Sequence, residues 1–345
     1  MAKRWVKRPE GSTWGDFGED DQLGRLNLLT PEKVLQGIAE VRVGKTFCLS
    51  LPLDLPGGNI LNPRRFPPMF YATGPIAEPR YNYPVSRVDP NAPDIVSDDR
   101  VLLTLQYSSQ WDTLAHVGAM FDADGDGKPE ALYYNGWRAG IDVIGPVDYH
   151  QNQPYPDKIG ARKLGVENMA EKVIQGRGVL VDLFRVCGPK RTIVGYDLLM
   201  RAIDEQKVVI EKGDMLLLHT GFGQFLMDGK GKADPKIMVD GYAQLDGRDT
   251  KLCDWITKSE IASLIADNYG VEAVPPSPPT KESPSNLPLH HHCIFKLGIN
   301  LGELWYLTEL ADWLKANNRS RFLLTAPPLR LPGAVGSPAT PVATV

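Results

Sequence analysis

The sequence predicts an α/β protein built on a mixed sheet with flanking helices. Two short apolar runs that open on glycine, GRGVLVDLF (176–184) and GDMLLLHTGFG (213–223), are typical of buried strands. The stretch GYDLLMRAIDEQKV between them has the apolar spacing of a helix. A strand, helix, strand order indicates a sheet covered by helices. The 345 residues are 42% hydrophobic and 23% charged, which is enough apolar material for a sizeable core.

The remaining elements follow in chain order. Thr30-Pro31-Glu32 predicts the start of a helix of about three turns, because threonine caps a helix and proline is favoured at its first position. Residues 45–105 are rich in proline and glycine with short apolar runs, which predicts strands joined by loops. KSEIASLIADNYG (258–270) and LTELADWLKANN (307–318) predict helices, and RFLLTAPP (321–328) predicts a late strand.

The domain organisation predicted is a single domain over residues 1–345, with residues 1–45 as an N-terminal extension packed on it. Residues 274–288, rich in proline and serine, could be an interdomain linker. We expect a long ordered loop instead, because the segment runs directly into three consecutive histidines and long loops in compact domains tend to be functional.

Composition excludes several classes of partner. The net charge is −4 and the 38 basic residues are scattered, so we expect no nucleic-acid partner. The four cysteines are widely spaced and form no C-x-x-C pair, which favours a reducing compartment. No apolar stretch of signal-peptide or membrane-spanning length is present, so we expect a cytoplasmic protein without a membrane partner.

The stretch QYSSQWDTLAH (106–116) is the candidate for chemistry. Even spacing would project Gln106, Gln110 and Asp112 from one face of an extended segment, giving a convergent set of oxygens. His116 follows four residues after Asp112, and histidine is the best general acid or base at neutral pH. The residues alone equally allow a buried polar cluster in which the histidine is simply hydrogen-bonded.

Other residues leave two interpretations open. His219 at the end of a predicted strand could line a pocket or be satisfied by its neighbours. DADGDGKPE (122–130) imitates a calcium loop, but Tyr133 stands where an EF-hand requires glutamate, so we expect a tight hairpin turn. Four aromatic residues could form the wall of a substrate pocket or belong to the core: Phe70, Tyr71, Trp111 and Trp305.

Residues 106–116 resemble the signature H-x-G-T-H-x-D-x-P-x-H of the cyclase family that includes kynurenine formamidase and isatin hydrolase. Asp112 and His116 match this signature, whereas Gln106 and Gln110 stand in place of its first two histidines. Further stretches resemble the larger branch of the family in the same order, over essentially the whole chain: WGDFGEDDQLGRLNLLTPE, GRGVLVDL, GDMLLLHTGF, LGINLGELWYLTELA and LTAPPLRLPGAVGSPATPVA.

The resemblance implies a sheet with barrel-like curvature, a homodimer or homotetramer, and a divalent metal. In the family, zinc or manganese is held by the first two motif histidines, the aspartate, and a downstream histidine and glutamate. Glu303 matches that glutamate; the histidine is His290, His291 or His292, of which the first two are favoured.

The two glutamines leave the metal open, because an amide oxygen is a weaker zinc ligand than imidazole. One possibility is a manganese, zinc or magnesium ion held by Asp112, His290, His291 and Glu303. The other is a metal-free site that works by acid and base chemistry of Asp112, Glu303 and His116.

The implied function is hydrolysis of a carbon–nitrogen bond in a cyclic or aryl amide, or of a lactone, by attack of water on the carbonyl. His116 would take the proton from water, and Asp112 would orient that water or bind a metal. Gln106 and Gln110 would donate hydrogen bonds to the oxyanion. The predicted substrate-binding residues are Gln106, Gln110, Trp111, Tyr71 and His219.

Two other functions remain open, and both are motivated by the lost histidines. The first is a metal-free lyase or cyclase that acts on an aromatic or polyketide-like substrate. The second is a relative without catalytic activity that only binds a small molecule.

Overall fold

A mixed nine-stranded sheet organises the computed structural model, which describes residues 4–149, 153–154, 158–281 and 283–345. The strands are β1 (Thr46–Cys48), β2 (Gln110–Asp112), β3 (Gln175–Asp182), β4 (Met215–His219), β5 (Ser263–Ala266), β6 (Asn300–Glu303), β7 (Arg321–Thr325), β8 (Gly336–Pro338) and β9 (Val342–Thr344). Their order is β1-β9-β7-β3-β4-β5-β6-β2-β8. Strands β3, β4, β5 and β6 are parallel, and the other neighbours pair antiparallel.

Helices surround this sheet. They are α1 (Pro31–Ile38), α2 (Val166–Lys172), α3 (Phe184–Cys187), α4 (Tyr196–Glu205), α5 (Phe222–Gly229), α6 (Pro235–Asp240), α7 (Thr250–Ser259), α8 (Pro288–His290) and α9 (Thr308–Ala316). A π-helical turn, His291–Lys296, continues α8, and short 3₁₀ turns span Gly24–Leu28, Val85–Arg87 and Tyr134–Gly136. Small two-stranded pairs lie outside the sheet: Met69–Ala72 with Asp99–Leu102, Tyr83–Pro84 with Ile95–Val96, Ala119–Phe121 with Glu130–Leu132, Val143–Ile144 with Gly160–Ala161, Val147–Asp148 with Gln153–Pro154, and Thr192–Val194 with Ala243–Leu245.

The central strands are buried on both faces. Successive side chains of a strand point to opposite faces, and those of β3 and β4 divide accordingly between two hydrophobic clusters. Val179, Val181, Leu216 and Leu218 pack in the cluster that includes residues of α4 and α7. Leu180, Met215 and Leu217 pack in the cluster that includes residues of α9. Burial on both faces explains why these strands read as continuous apolar runs in the sequence.

The sheet is strongly curled, as its last two strands show. β8 forms one edge, whereas β9 pairs with β1 and β7 near the other edge. Only residues 339–341 join β8 to β9, so the ends of these strands are four residues apart and at most about 14 Å from each other. The two edges must therefore lie close together, and Ser50, just past β1, indeed bridges to Trp305, just past β6. The curled mixed sheet with helices confirms the predicted fold class.

One predicted helix is wrong. Residues 258–270 contain the end of α7 at Ser259 and then strand β5, which lies between β4 and β6 with every residue buried. A short apolar run that is buried all round shows neither helical nor alternating periodicity, so the sequence could not distinguish the two.

The other predicted elements are present. The Thr30 hydroxyl accepts a hydrogen bond from the backbone N–H of Lys33 and caps α1, which is two turns long rather than three. Predicted strands and helices correspond to β3, β4, β7, α4 and α9. Residues 122–130 form the predicted hairpin turn, because Ala119–Phe121 pairs with Glu130–Leu132 on either side of it.

The N-terminal segment packs on the sheet through buried contacts. Trp14 is fully buried and its indole N–H donates to the carbonyl of Phe295. Lys33 on α1 forms a buried ion pair, 3.0 Å, with Asp214 just before β4. Among the described residues, no helix combines the length and the apolar character needed to cross a membrane.

Candidate active site

Strand β2 presents Gln110 and Asp112 to a buried polar cluster. Its neighbour β6 ends at Glu303, which stands opposite Gln110 in the antiparallel register. The side-chain amide nitrogen of Gln110 lies 3.2 Å from Asp112 Oδ1 and 3.1 Å from Glu303 Oε2, and donates to both. Both amide hydrogens are thereby directed at carboxylates, so Gln110 is not the free oxyanion donor that the sequence predicted.

His290, the last residue of α8, completes the centre of the cluster. Its Nε2 lies 3.2 Å from Glu303 Oε1 and 3.8 Å from Asp112 Oδ2. Its Nδ1 lies 2.6 Å from Glu272 Oε1, and the same carboxylate accepts the backbone N–H groups of Leu289 and His290. Glu272 therefore fixes both the start of this turn and the orientation of the imidazole ring.

His116 lies at the solvent side of the cluster, in the loop after β2. Its Nε2 is 3.7 Å from Asp112 Oδ1, and its ring centroid is 6.4 Å from that of His290. The His116 side chain is 20% exposed, whereas that of Asp112 is fully buried. Among these side chains, His116 is thus the one that a molecule arriving from solvent would meet.

Burial and neighbouring charge set the protonation of the cluster. Burial and the charge of Glu303 raise the pKa of Asp112 to about 8. Burial disfavours the charged form of His290, but the hydrogen bonds to Glu272 and Glu303 outweigh it and raise the pKa of His290 to about 10. Burial and the charge of His290 lower the pKa of His116 to about 4, so His116 is a neutral imidazole at pH 7.

The donor set fits one divalent cation. Ligand atoms of Asp112, His290 and Glu303 all lie within 4.8 Å of one another. Asp112 Oδ2 and Gln110 Oε1 are buried and have no hydrogen-bond partner among the described residues. A carboxylate that binds the far nitrogen of a histidine, as Glu272 does, is the usual second partner of a metal-binding imidazole. Oxygen-rich sets of this kind suit manganese or magnesium, and two carboxylates with one histidine also suit zinc.

The structure selects His290 from the three consecutive histidines. The ring of His291 packs against Phe295 with 5.1 Å between centroids. His292 Nε2 hydrogen-bonds the Thr257 hydroxyl and the carbonyl of Cys253. Both rings line a separate cavity of about 560 Å³, together with Lys296. The prediction that His291 is a metal ligand is therefore wrong.

The aromatic residues on β2 and β6 belong to the core. Trp111 is fully buried, packs edge-on against Trp305 at 5.0 Å, and donates its indole N–H to the carbonyl of Ala326. Because successive residues of a strand face opposite ways, the register that turns Gln110 and Asp112 to the cluster turns Trp111 away from it. The prediction of Trp111 as a substrate-binding residue is wrong, and Trp305 is likewise no pocket wall.

Phe70 and Tyr71 lie on an exposed two-stranded ribbon, paired with residues 100–101. His219 is occupied elsewhere: Nδ1 is 2.9 Å from Asp182 and Nε2 is 3.1 Å from the Thr308 hydroxyl. His219 is thus the hydrogen-bonded strand-end histidine of the alternative interpretation, and its predicted contact with substrate is not supported.

Gln106 lies in a turn before β2 rather than on the strand itself, so it does not share the face of Gln110 as predicted. Its side chain nevertheless packs on Gly336, which stands opposite Asp112 in β8. The Arg65 guanidinium donates to the backbone carbonyl of Gln106, 2.7 Å, and its charge acts to lower the pKa of both Asp112 and Glu303. Gln106 therefore stays beside the cluster.

The sequence did not reveal Glu272 or Arg65. Glu272 precedes His290 by 18 residues, and Arg65 lies in a proline-rich loop far ahead of Asp112. Neither follows a periodic or motif spacing. Only the folded chain brings them to the cluster.

The chain belongs to the cyclase family, since a family model described as "Putative cyclase" matches residues 49–273. A crystal structure of a novel cyclase is 30% identical, with a TM-score of 0.73 over 97% of each chain. Isatin hydrolase A from Labrenzia aggregata, bound to benzyl benzoate, is 13% identical, with a TM-score of 0.52 over 90% of this chain and 97% of the other. An isatin hydrolase bound to the product analogue thioisatinate is 12% identical, with a TM-score of 0.53 over 92% and 99%. At such low identity, these two hydrolases show the fold alone. No curated protein matches the chain.

Proposed function

We propose that this protein hydrolyses the carbon–nitrogen bond of a cyclic or aryl amide, or the ester bond of a lactone. One observation carries the proposal: His116 is a neutral, partly exposed imidazole whose Nε2 lies 3.7 Å from the buried carboxyl group of Asp112. A neutral imidazole can accept a proton from water as a general base does, and the charge of Glu303 acts to raise the pKa of His116 against the effect of burial. Family membership supports the proposal, as do the isatin hydrolases that share the fold.

In this mechanism His116 accepts a proton from the water that adds to the substrate carbonyl carbon. The imidazolium that forms is then stabilised by the negative charge of Glu303. His116 returns the proton to the leaving nitrogen as the carbon–nitrogen bond breaks, so that amide and water become carboxylic acid and amine. Gln106 and the guanidinium of Arg65 are the donors left to bind the carbonyl oxygen, because the amide of Gln110 is engaged.

A metal would be held by Asp112, His290 and Glu303, with Gln110 able to present its carbonyl oxygen if the amide is rotated. A bound divalent cation would supply Lewis-acid polarisation and lower the pKa of water. Glu272 keeps Nε2 of His290 turned toward such an ion, and burial of the carboxylates excludes competing solvent.

The function is tested with the untagged protein against a panel of isatin-like cyclic amides, N-formyl aryl amines and aryl lactones. Hydrolysis adds the mass of one water, and ¹⁸O from labelled water appears in the acid. We expect His116→Ala to abolish turnover and to keep the circular dichroism spectrum. His291→Ala is the matched control and should retain activity, because His291 lies outside the cluster. An active His116→Ala protein would overturn this mechanism.

Metal binding is tested by elemental analysis of the same untagged protein. We expect about one manganese, zinc or magnesium ion per chain, lost in Asp112→Asn. Asp126→Asn is the control and should keep that stoichiometry; Asp126 belongs to an exposed acidic turn, the second group of possible metal ligands found among the described residues. A stoichiometry unchanged by Asp112→Asn would contradict the assigned ligand set.

The placement of Gln110 keeps a second function open. Its amide N–H groups bridge two carboxylates, which is what a cation or proton would otherwise do. A metal-free lyase or cyclase that uses His116 as base would conserve the substrate mass or release water, which distinguishes it from a hydrolase. Ligand-induced stabilisation without any turnover would indicate a binding protein instead.

A further inference from the structure

The cavity beside the π-helical turn has the size of a ligand site. Its volume of about 560 Å³ falls within the roughly 300–1,000 Å³ of small-molecule pockets. It lies between strand Ala119–Phe121, the first turns of α7, the loop that leads into α8, and the turn His291–Lys296. Met120 and Asp254 on its lining are exposed, so solvent reaches it. No residue of the candidate active site is among the described residues that line it.

One wall of this cavity is the loop rich in proline and serine that precedes α8, and Arg248 holds that loop in place. The Arg248 guanidinium donates from Nε to the carbonyl of Ser277 at 2.6 Å and from Nη2 to the carbonyl of Ser285 at 2.8 Å. Its Nη1 donates to the carbonyl of Ser283. Three hydrogen bonds from one side chain fix a segment whose described residues form no helix or strand before Pro288. The loop therefore provides a fixed wall.

The lining carries two cations and one acid among the described residues. Lys296, at the end of the π-helical turn, is partly buried, and no described carboxylate forms an ion pair with it. Arg248 is bound by carbonyl groups, which leave its positive charge in place. Asp254 on α7 is the acid. A partly buried ammonium without a counterion pays for its lost hydration, so this surplus of one positive charge favours an anion with a single negative charge.

The rest of the lining suits the apolar body of an organic molecule. Four residues contribute apolar surface: Ala119, Met120, Pro284 and Pro288. The rings of His291 and His292 add flat faces on the side of the turn. A lining that is largely apolar with a few placed polar groups is typical of sites for organic ligands, whereas a free inorganic ion would leave most of this surface in contact with water.

We propose that this cavity binds a small organic monocarboxylate, with its carboxylate group on the Lys296 ammonium and its aromatic or aliphatic body against the apolar lining. The site is separate from the candidate active site and does not depend on the reaction proposed there. Its occupant contacts the turn His291–Lys296, which directly follows His290 in the chain. Binding therefore also restrains the segment that carries His290 into the cluster.

The test is calorimetric titration of the full-length protein with 2-naphthoate, a flat monocarboxylate that fits the volume. We expect one molecule per chain to bind in this cavity. The neutral amide 2-naphthamide and inorganic phosphate should each bind at least about 10-fold more weakly, because the first lacks the charge and the second lacks the apolar body. An absence of 2-naphthoate binding would overturn the proposal, and phosphate that binds as tightly as 2-naphthoate would overturn the assigned class of ligand.

Two substitutions should change this affinity in opposite directions. Lys296→Met keeps the length of the side chain but removes its charge, and should weaken 2-naphthoate binding by about 10-fold or more. Asp254→Asn removes the acid from the lining and should tighten binding by about 2- to 5-fold. Lys258→Met is the matched control, since Lys258 is an exposed lysine of α7 outside the lining, and it should leave the affinity unchanged. Circular dichroism of each variant checks the fold.

Hydrogen exchange locates the ligand independently of the affinity. In the wild-type protein, 2-naphthoate should slow exchange of the amides of His291–Lys296, and this effect should be absent in Lys296→Met. Because neither measurement needs turnover, failure of the proposed hydrolysis would leave both results interpretable. Binding that survives in Lys296→Met but is lost in His116→Ala would place 2-naphthoate in the candidate active site and overturn the proposal. Unchanged exchange of these amides despite binding would overturn it too.

Discussion

The carboxylate of Glu272 offers the sharpest test of how the candidate active site is held. It accepts three hydrogen bonds, from His290 Nδ1 at 2.6 Å and from the backbone N–H groups of Leu289 and His290 at 2.8 and 3.0 Å. In Glu272→Gln, an amide NH₂ group replaces one of the two carboxylate oxygens. This group cannot accept a hydrogen bond from the N–H donor that it faces. At least one of the three hydrogen bonds is then lost, and those that remain are made to a neutral amide instead of a charged carboxylate.

The expected cost follows from this loss. A hydrogen bond to a charged group contributes about 1.5–3 kcal/mol, and a buried donor left without a partner costs about 1–3 kcal/mol. We therefore expect Glu272→Gln to lower the free energy of unfolding by about 3 kcal/mol. With an unfolding entropy of about 2.1 cal/mol/K per residue, the 345 residues give about 0.7 kcal/mol/K, so Tm should fall by about 4 °C.

The assay is calorimetry in the presence of a chelator, so that metal binding does not add to the difference. Metal titration of the same variant should show affinity weakened by about 10- to 100-fold, because Glu272 orients the imidazole of His290. Glu260→Gln is the control; the side chain of this glutamate is 47% exposed and forms a surface ion pair with Lys212, so Tm should change by less than about 1 °C. An unchanged Tm together with unchanged metal affinity in Glu272→Gln would refute the role assigned to this carboxylate.

Three further perturbations test other parts of the structure. A Cβ atom at residue 336 would collide with the side-chain amide of Gln106, so Gly336→Ala should displace that amide and lower kcat/KM by about 10- to 100-fold with little change in Tm. Asp214 is buried between two cations, so Asp214→Asn should cost about 3–5 kcal/mol and lower Tm by about 4–7 °C in calorimetry; a smaller loss would mean that the charges are solvated. The ion pair of His219 with Asp182 raises the pKa of the histidine above 6.5 and lowers that of the aspartate below 3.8, despite burial of both. The stabilisation by this ion pair is fully present between pH 3.8 and 6.5, the ordinary pKa values of the two groups. It is lost as the pH rises through the raised pKa of His219 or falls through the lowered pKa of Asp182. Denaturant titrations should therefore show Asp182→Asn to be most destabilising between about pH 4 and 6.5.

Local sequence signals located the adjacent strands β7, β3 and β4 of the sheet and the beginning of the site. Thr30 marked the start of α1. The continuous apolar runs marked β3 and β4, because the side chains of a strand that is buried on both faces are mostly apolar. The same kind of run misled at β5, where four residues carry too little periodicity to distinguish a strand from a helix. The spacing of Asp112 and His116 correctly placed both in one cluster, since four residues of strand and loop cannot carry them far apart.

The sequence by itself thus determined the fold class, the family and the segment that supplies Asp112 and His116. Only the tertiary structure decided which of three consecutive histidines turns inward. Neighbouring residues of a helical turn point about 100° apart, and nothing in the spacing says which direction the core lies. Glu272 and Arg65 were invisible for a related reason: their roles depend on distances between segments that are far apart in the chain, and those distances are set by the packing of the curled sheet.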